Sequence, residues 1–543
     1  WTRAHQIKTD LWYSAYRDVT NADLRTNAMV CEGLQGEMSE DQARGWLSLL
    51  AGGPAPNPDA AADSLGAVVP AIAGVKLATD DIQGIVLRGY GKHPRSCFVA
   101  VRFGHRAKAG AWIEALDVSA VDVGAGELRT NVAFTAAGLV ALGLGPDTLG
   151  TFSREFQEGM SFGTRPRALG DEGESAPEKW RWGGTTAGSP AVHAIVLMYG
   201  TSLQALDARV ASLRRALIEA GGTVIYERAA EMLPNRREHF GFADGIAQPA
   251  VMGFDDADAK DGQADLLAPG EFVFGYPNAY GMTPAAPTLA ASDAAQGSVA
   301  AELRAAGALG ENGTYLVVRQ LHQRVADFRV FAQRASPILF PHEPPRTAAV
   351  RVMSSCVGRW PDGTPLALSP DPPAGPKDAG ANAFAFADDP HGFRCPVTAH
   401  VRRANPRDSL GPTVEESKLV SNRHRILRRG RSYGEFLEGD KDDLAERGLF
   451  FVAVNANISR QFEFIQQTWI ENRKFDGMRD DVDPLVGRPP EDGDATAFTV
   501  AEQPIRGRIV GMKAFVTLRG GGYFFAPGLR ALRALAAIAK SGG

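Results

Sequence analysis

The chain has 543 residues, of which 44% are apolar, with 58 Lys and Arg against 63 Asp and Glu. That is ample for a large core and predicts more than one structural unit. A net charge of -5 with basic residues spread along the chain gives no field to attract nucleic acid, and no apolar run approaches the roughly 20 residues of a membrane span, so neither is an expected partner. Cys31, Cys97, Cys356 and Cys395 lie far apart with no C-x-x-C pairing, which signals neither zinc nor a disulfide framework. A cytoplasmic protein is expected, with export left open by a first residue other than Met.

Residues 52 to 64, rich in Gly, Pro, Ala and Asp, read as a linker behind an N-terminal extension that shows no usable motif. From about residue 78 the pattern becomes regular, with a strand at Cys97 to Phe103, a helix at Lys108 to Leu116 and a strand at Asn131 to Phe134. A second unit follows. Residues 193 to 199 and 223 to 228 read as strands, and between them Leu203, Leu206, Val210, Leu213 and Leu217 recur at helical spacing, with Ser202 as cap and Gly221-Gly222 as stop. Two strand-helix-strand units in series predict an α+β, ferredoxin-like half, an antiparallel sheet with helices on one face. Residues 314 to 321 and 449 to 455 read as strands of a second half, followed by a helix from about Arg460 to Asn472. Residues 515 to 528 read as a strand pair or a strand and turn, and Leu529 to Ile538 as a last helix. Residues 255 to 269 and 361 to 392 read as surface loops.

Three segments offer chemistry. In Gly241-Phe242-Ala243-Asp244-Gly245 an acid stands between two flexible glycines, with Phe240 and Phe242 close by. The pattern alone is weak in a chain with 60 Gly, but aromatic walls would desolvate the carboxylate and glycines would let backbone approach a flat ligand. His400 is followed by Arg402, Arg403 and Arg407. A neutral imidazole is a common axial ligand of haem iron, and arginines meet carboxylates bidentately, although the bland reading is a structural His beside a solvated basic face. The third segment, Arg423 to Gly434, holds Arg428 beside Ile426 and Leu427. A partly buried arginine there would stabilise a peroxide anion; the bland reading is a charged surface strand.

In this order the three segments resemble the dye-decolourising (DyP-type) haem peroxidases. The likeness extends to residues 81 to 91, Trp180-Arg181-Trp182, residues 270 to 277, 460 to 466 with Trp469, 483 to 487 and 519 to 525, and it spans residues 78 to 540. The chain departs from the pattern at Ser432, where many relatives have a proline before the tyrosine. The resemblance implies a pair of ferredoxin-like modules binding haem b. It implies His400 as proximal iron ligand, Asp244 as distal acid-base, Arg428 as distal arginine, Arg403 on a haem propionate, and Leu449 and Phe451 lining the distal side, with Arg428, Gly241 and Gly245 also among the residues that bind the cofactor. The expected division is residues 1 to 72 as extension and linker, 73 to 250 as the half with the Asp244 loop, and 251 to 543 as the half with the haem ligand. The proximal imidazole needs a carboxylate partner, for which Asp483 and Glu463 are both candidates.

The expected activity is a peroxidase that uses hydrogen peroxide to oxidise dyes, phenols or other organic donors, as a monomer or an oligomer. A carboxylate base, with a usual pKa of about 3.9 against about 6.5 for His, predicts an acidic optimum. Bulky donors are expected to give electrons through surface aromatics, with Trp360, Trp469 and Tyr433 as candidates. One rival reading is a haem-handling, deferrochelatase-like protein of the same fold. A non-haem metal enzyme is the other, and the sequence lacks the tight H-x-D, H-E-x-x-H or C-x-x-C spacings it would need.

Overall fold

The computed structural model describes residues 75–543 apart from 123, 125, 256–264, 294–302, 304–307, 374–380, 412, 489–496, 502–505 and 542–543. The expected extension at 1 to 72 and its linker lie outside the described residues. The expected loops at 255 to 269 and 361 to 392 are described only in part.

The first unit runs β1 (Arg95–Arg102), α1 (Arg106–Glu114), β2 (Leu128–Phe134), β3 (Ala194–Gly200), α2 (Leu203–Glu219) and β4 (Thr223–Glu231). Its strands lie in the order β2-β3-β1-β4, all antiparallel neighbours, which is the ferredoxin-like arrangement. Ser202 caps α2, its Oγ accepting from Ala205 N at 3.3 Å, and Leu206, Val210, Leu213 and Leu217 are buried. Leu203, expected in the same stripe, is exposed, because at the first turn it precedes the packed face.

The second unit repeats the plan. It runs β5 (Thr314–Gln323), α3 (Val325–Leu339), α4 (Pro345–Val357), α5 (His400–Ala404), β6 (Leu427–Arg428), β7 (Arg431–Tyr433), β8 (Gly448–Asn455), β9 (Val516–Ala526) and α6 (Leu529–Ser541). Here the order is β9-β5-β8, with β6 and β7 side by side on the far edge of β8. The two modules then join at both ends, through Phe525 with Phe134 and Glu231 with Ser432, so nine strands close into one ring. Closure removes the exposed edges that either sheet would carry alone.

Alternation along the strands supplies two cores. One face of every strand converges inside the ring, where Phe98 of the first module stacks on Phe450 of the second at 4.5 Å. The other face, with Val99, Val196 and Met198, packs beneath α2, α1 and α6. The run 515 to 528 is one strand rather than a strand pair or turn. Its glycines serve close approach: a Cβ on Gly520 would lie 2.5 Å from the Trp182 indole nitrogen. The helix expected from Arg460 is a wide one, Ser459–Glu463 and Ile465–Ile470, with i to i+5 bonds such as Glu463 N to Ile458 O at 2.9 Å.

Candidate active site

The Asp244 loop follows β4 and is tied down by its own backbone. Gly241 (φ 100) and Gly245 (φ 78) adopt left-handed conformations that turn the chain twice in five residues. Asp244 N donates to Arg236 O at 2.9 Å, and Arg237 pairs with Ala243. Glu238, which sequence reasoning missed, holds the loop from the other side. It accepts from Phe240 N at 2.9 Å, Phe242 N at 3.0 Å and Gln323 Nε2 at 2.7 Å. Burial pushes its carboxyl up to about 7, against these hydrogen bonds and with a smaller push from the charge of Asp244. Phe240 and Phe242 do not wall Asp244 as expected; they are buried in a cluster with Phe328. Burying the rings there removes apolar surface from water and leaves the carboxylate 41% exposed.

Arg428 ends β6, and its Nη1 lies 3.7 Å from Asp244 Oδ1. Its backbone N donates to Gln248 Oε1 at 2.9 Å, which ties the two modules together at the site. Asp244 Oδ1 also accepts from Gly245 N at 2.6 Å, while Oδ2 has no partner among the described residues. Asp244, Gly245, Arg428, Leu449 and Phe451 line one cavity of about 280 Å³. Gly241 is not part of that lining; its place is the turn.

His400 opens α5. Its Nδ1 lies 2.8 Å from Asp483 Oδ2, and the other Asp483 oxygen accepts from Leu485 N and Val486 N, both at 2.9 Å. Burial works to raise the Asp483 carboxyl, but the charge and hydrogen bond of His400, with the Val486 amide, hold it below the usual range. With Nδ1 committed, Nε2 is the ring nitrogen left to ligate a metal, and it has no partner among the described residues. Glu463 is engaged elsewhere: it meets Arg165 Nε at 2.7 Å and Tyr523 Oη at 2.7 Å.

The arginines after His400 are not a solvated face. Arg402 and Arg403 are fully buried. Arg403 donates to the carbonyls of Trp469 (2.7 Å), Asn472 (2.9 Å) and Asp481, and its guanidinium lies over the Phe475 ring. Both terminal nitrogens thus serve carbonyls, and its buried Nε is left without a partner among the described residues. Positive charge instead accumulates at Arg359, Arg407, Arg425 and Arg428. Burial, and then the neighbouring Arg425, pushes Arg407 down to about 9; burial and Arg428 push Arg359 down to about 10. Arg425 pairs with Asp265 through Nη1, while its Nη2 is buried without a partner among the described residues. A guanidinium with one orphaned nitrogen, within a cationic cluster, fits a group bearing carboxylates.

The expected surface relays are not at the surface. Trp360, Trp469 and Tyr433 are all buried, and Tyr433 donates to Leu321 O at 3.1 Å. Among the described residues no Trp or Tyr is exposed; Tyr226, Tyr276 and Tyr280 are half-buried.

The paired ferredoxin-like modules are those of the DyP-type peroxidase fold. A fungal DyP-type peroxidase from Auricularia auricula-judae matches with a TM-score of 0.66 and 25% identity, over 86% of this chain and 100% of its own. A dye-decolorizing peroxidase of Mycetinis scorodonius is 30% identical over 497 residues, 84% of this chain and 87% of the relative. A multifunctional dye peroxidase of an Amycolatopsis species is 32% identical over 349 residues, 60% of this chain and 68% of the relative. No protein-family model matches the chain. The chain belongs to the dye-decolourising peroxidase family, oxidoreductases that act on peroxide and are haem enzymes.

Proposed function

We propose that the chain is a haem b peroxidase that consumes hydrogen peroxide, with Asp244 as acid-base, Arg428 as charge stabiliser and His400 as iron ligand. The observation that carries this reading is the cavity in which Asp244 and Arg428, from different modules, face each other beside Leu449 and Phe451. His400 Nε2 would hold the iron, and the cationic cluster with Arg407 and Arg425 would receive the propionates. Bound haem supplies the iron that accepts peroxide and the oxidising equivalents passed to the donor.

The residues have separate tasks. Asp244 Oδ2, without a partner among the described residues, takes the peroxide proton and returns it to the departing oxygen, which leaves as water. Arg428 keeps its positive charge throughout and stabilises the negative charge that develops on that oxygen. Asp483 fixes the His400 ring and raises its basicity. In sum, one hydrogen peroxide and two phenol molecules give two waters and two phenoxyl radicals.

The test is peroxide-dependent oxidation of a phenol and a dye by the haem-loaded wild type and the Asp244→Asn and Arg428→Leu variants. Turnover lost in the variants while the Soret band persists supports the assignment. Equal turnover in all three sinks the assignment of Asp244 and Arg428, and turnover that is equally low in all three favours the haem-handling alternative.

A further inference from the structure

The cavity beside Asp244 carries more positive charge than proton transfer to and from peroxide uses. Its walls hold five guanidiniums against two carboxylates, Asp244 and Glu231. Several of these are committed elsewhere. Arg429 donates to the carbonyls of Ile85 (2.9 Å) and Val86 (3.1 Å), and Arg431 to those of Gly89 (2.9 Å) and Tyr90 (3.2 Å). Glu231 is bridged by Arg95. That leaves Arg236, Arg237 and Arg428 facing the space, against Asp244, which lies 3.7 Å from Arg428.

Arg236 and Arg237 have no side-chain hydrogen bond or ion pair with any described residue. Both nevertheless ride on the Asp244 turn, through the Asp244 N to Arg236 O bond and the pairing of Arg237 with Ala243. Arg236 also holds a left-handed backbone, φ 53, which is uncommon for a residue with a side chain. Met232, Leu233, Leu449 and Phe451 give the same cavity an apolar wall. Its volume, about 280 Å³, falls just below the range of drug-sized ligand sites, which run from about 300 to 1,000 Å³. That suits one substituted aromatic ring and not a polycyclic dye.

We infer that this cavity is a binding site for single-ring phenolic carboxylates, with the ring on the apolar wall and the carboxylate on Arg236 and Arg237. The inference names a donor class for the peroxidase proposed above and rests on that reading. Planar guanidiniums match a carboxylate in two-pronged geometry, and a cationic, low-dielectric cleft concentrates anions before contact. The bound phenol loses one electron and one proton per turnover, as in the stoichiometry above.

The experiment pairs syringate with its neutral methyl ester, two donors that share one ring. On the haem-loaded enzyme without peroxide, calorimetric titration should show saturable binding of syringate and at least tenfold weaker binding of the ester. In steady state, the ratio of kcat/KM for syringate to that for the ester should fall about tenfold in Arg236→Gln/Arg237→Gln. It should recover in Arg236→Lys/Arg237→Lys, and fall with added salt in the wild type. An unchanged ratio in the Gln variant, or no saturable binding of syringate, overturns the inference. If no donor is oxidised by any form, the peroxidase reading has failed, and the titration still decides whether the cavity binds the anion.

Discussion

The two acidic residues of the site are built in opposite ways. Asp483 is wholly buried, with one oxygen on His400 and the other on two backbone amides. Asp244 is 41% exposed, touches Arg428 only at 3.7 Å and leaves Oδ2 without a partner among the described residues. A carboxylate that must orient a ligand is immobilised by saturating its lone pairs; one that must gain and lose a proton needs an oxygen free to do so. The contrast predicts that substitutions on the Asp244 side damage rate, and those on the Asp483 side damage the ligand and metal.

The largest effect should come from Asp244→Asn, with kcat/KM for peroxide falling by roughly 10² to 10⁴ while haem content stays as in the wild type. Stopped-flow mixing with peroxide checks it; a loss under tenfold would break the distinction. Arg428→Leu should follow, at roughly 10² to 10³, the range for removing one charge-stabilising donor. Next comes Asp483→Asn, where activity and haem retention should fall roughly 10- to 100-fold. Its distinguishing readout is the iron reduction potential, which should rise as the imidazole becomes less basic. An unmoved potential would mean that Asp483 supports the fold and not the ligand.

How much of this the sequence discloses depends on where each signal is stored. His400, Asp244 and Arg428 sit in short distinctive runs, and the first ferredoxin-like module is written in the apolar spacing of β1 to β4. Asp483 and Glu463 could not be told apart, because both are acids among apolar neighbours and only tertiary structure turns one toward His400 and the other toward Arg165. Charge was the poorest guide. Arg402, Arg403, Arg429 and Arg431, for which a solvated face is the bland reading, are each buried with backbone carbonyls among their partners, a use that leaves no trace in composition. Helices α3 and α4 escaped notice because Pro337 lies inside one and Pro344 and Pro345 open the other, where proline reads as a break. Gly520 to Gly522 read as a turn because the Trp182 ring that requires Gly520 is 338 residues away in sequence.

The smallest effect separates the two sides by pH and rests on Glu238. The proximal anchor, Asp483, has its carboxyl held below the usual range, whereas burial pushes Glu238, the anchor of the distal loop, up to about 7. Between the ordinary glutamate value of about 4.3 and 7, the folded state therefore binds more protons at Glu238 than the unfolded chain does. Stability contributed at this position is full below that window and declines as pH rises through it. Glu238→Gln cannot ionise, so it carries a constant loss from the Phe240 and Phe242 amides it serves less well. The stability gap between wild type and variant should then be widest near pH 4.5 and shrink by about 1 to 3 kcal/mol by pH 8. Denaturant titrations of both proteins across that range measure it directly. A gap that widens with pH would show Glu238 ionised throughout, and the distal loop would then be anchored by a charged carboxylate just as the proximal ligand is.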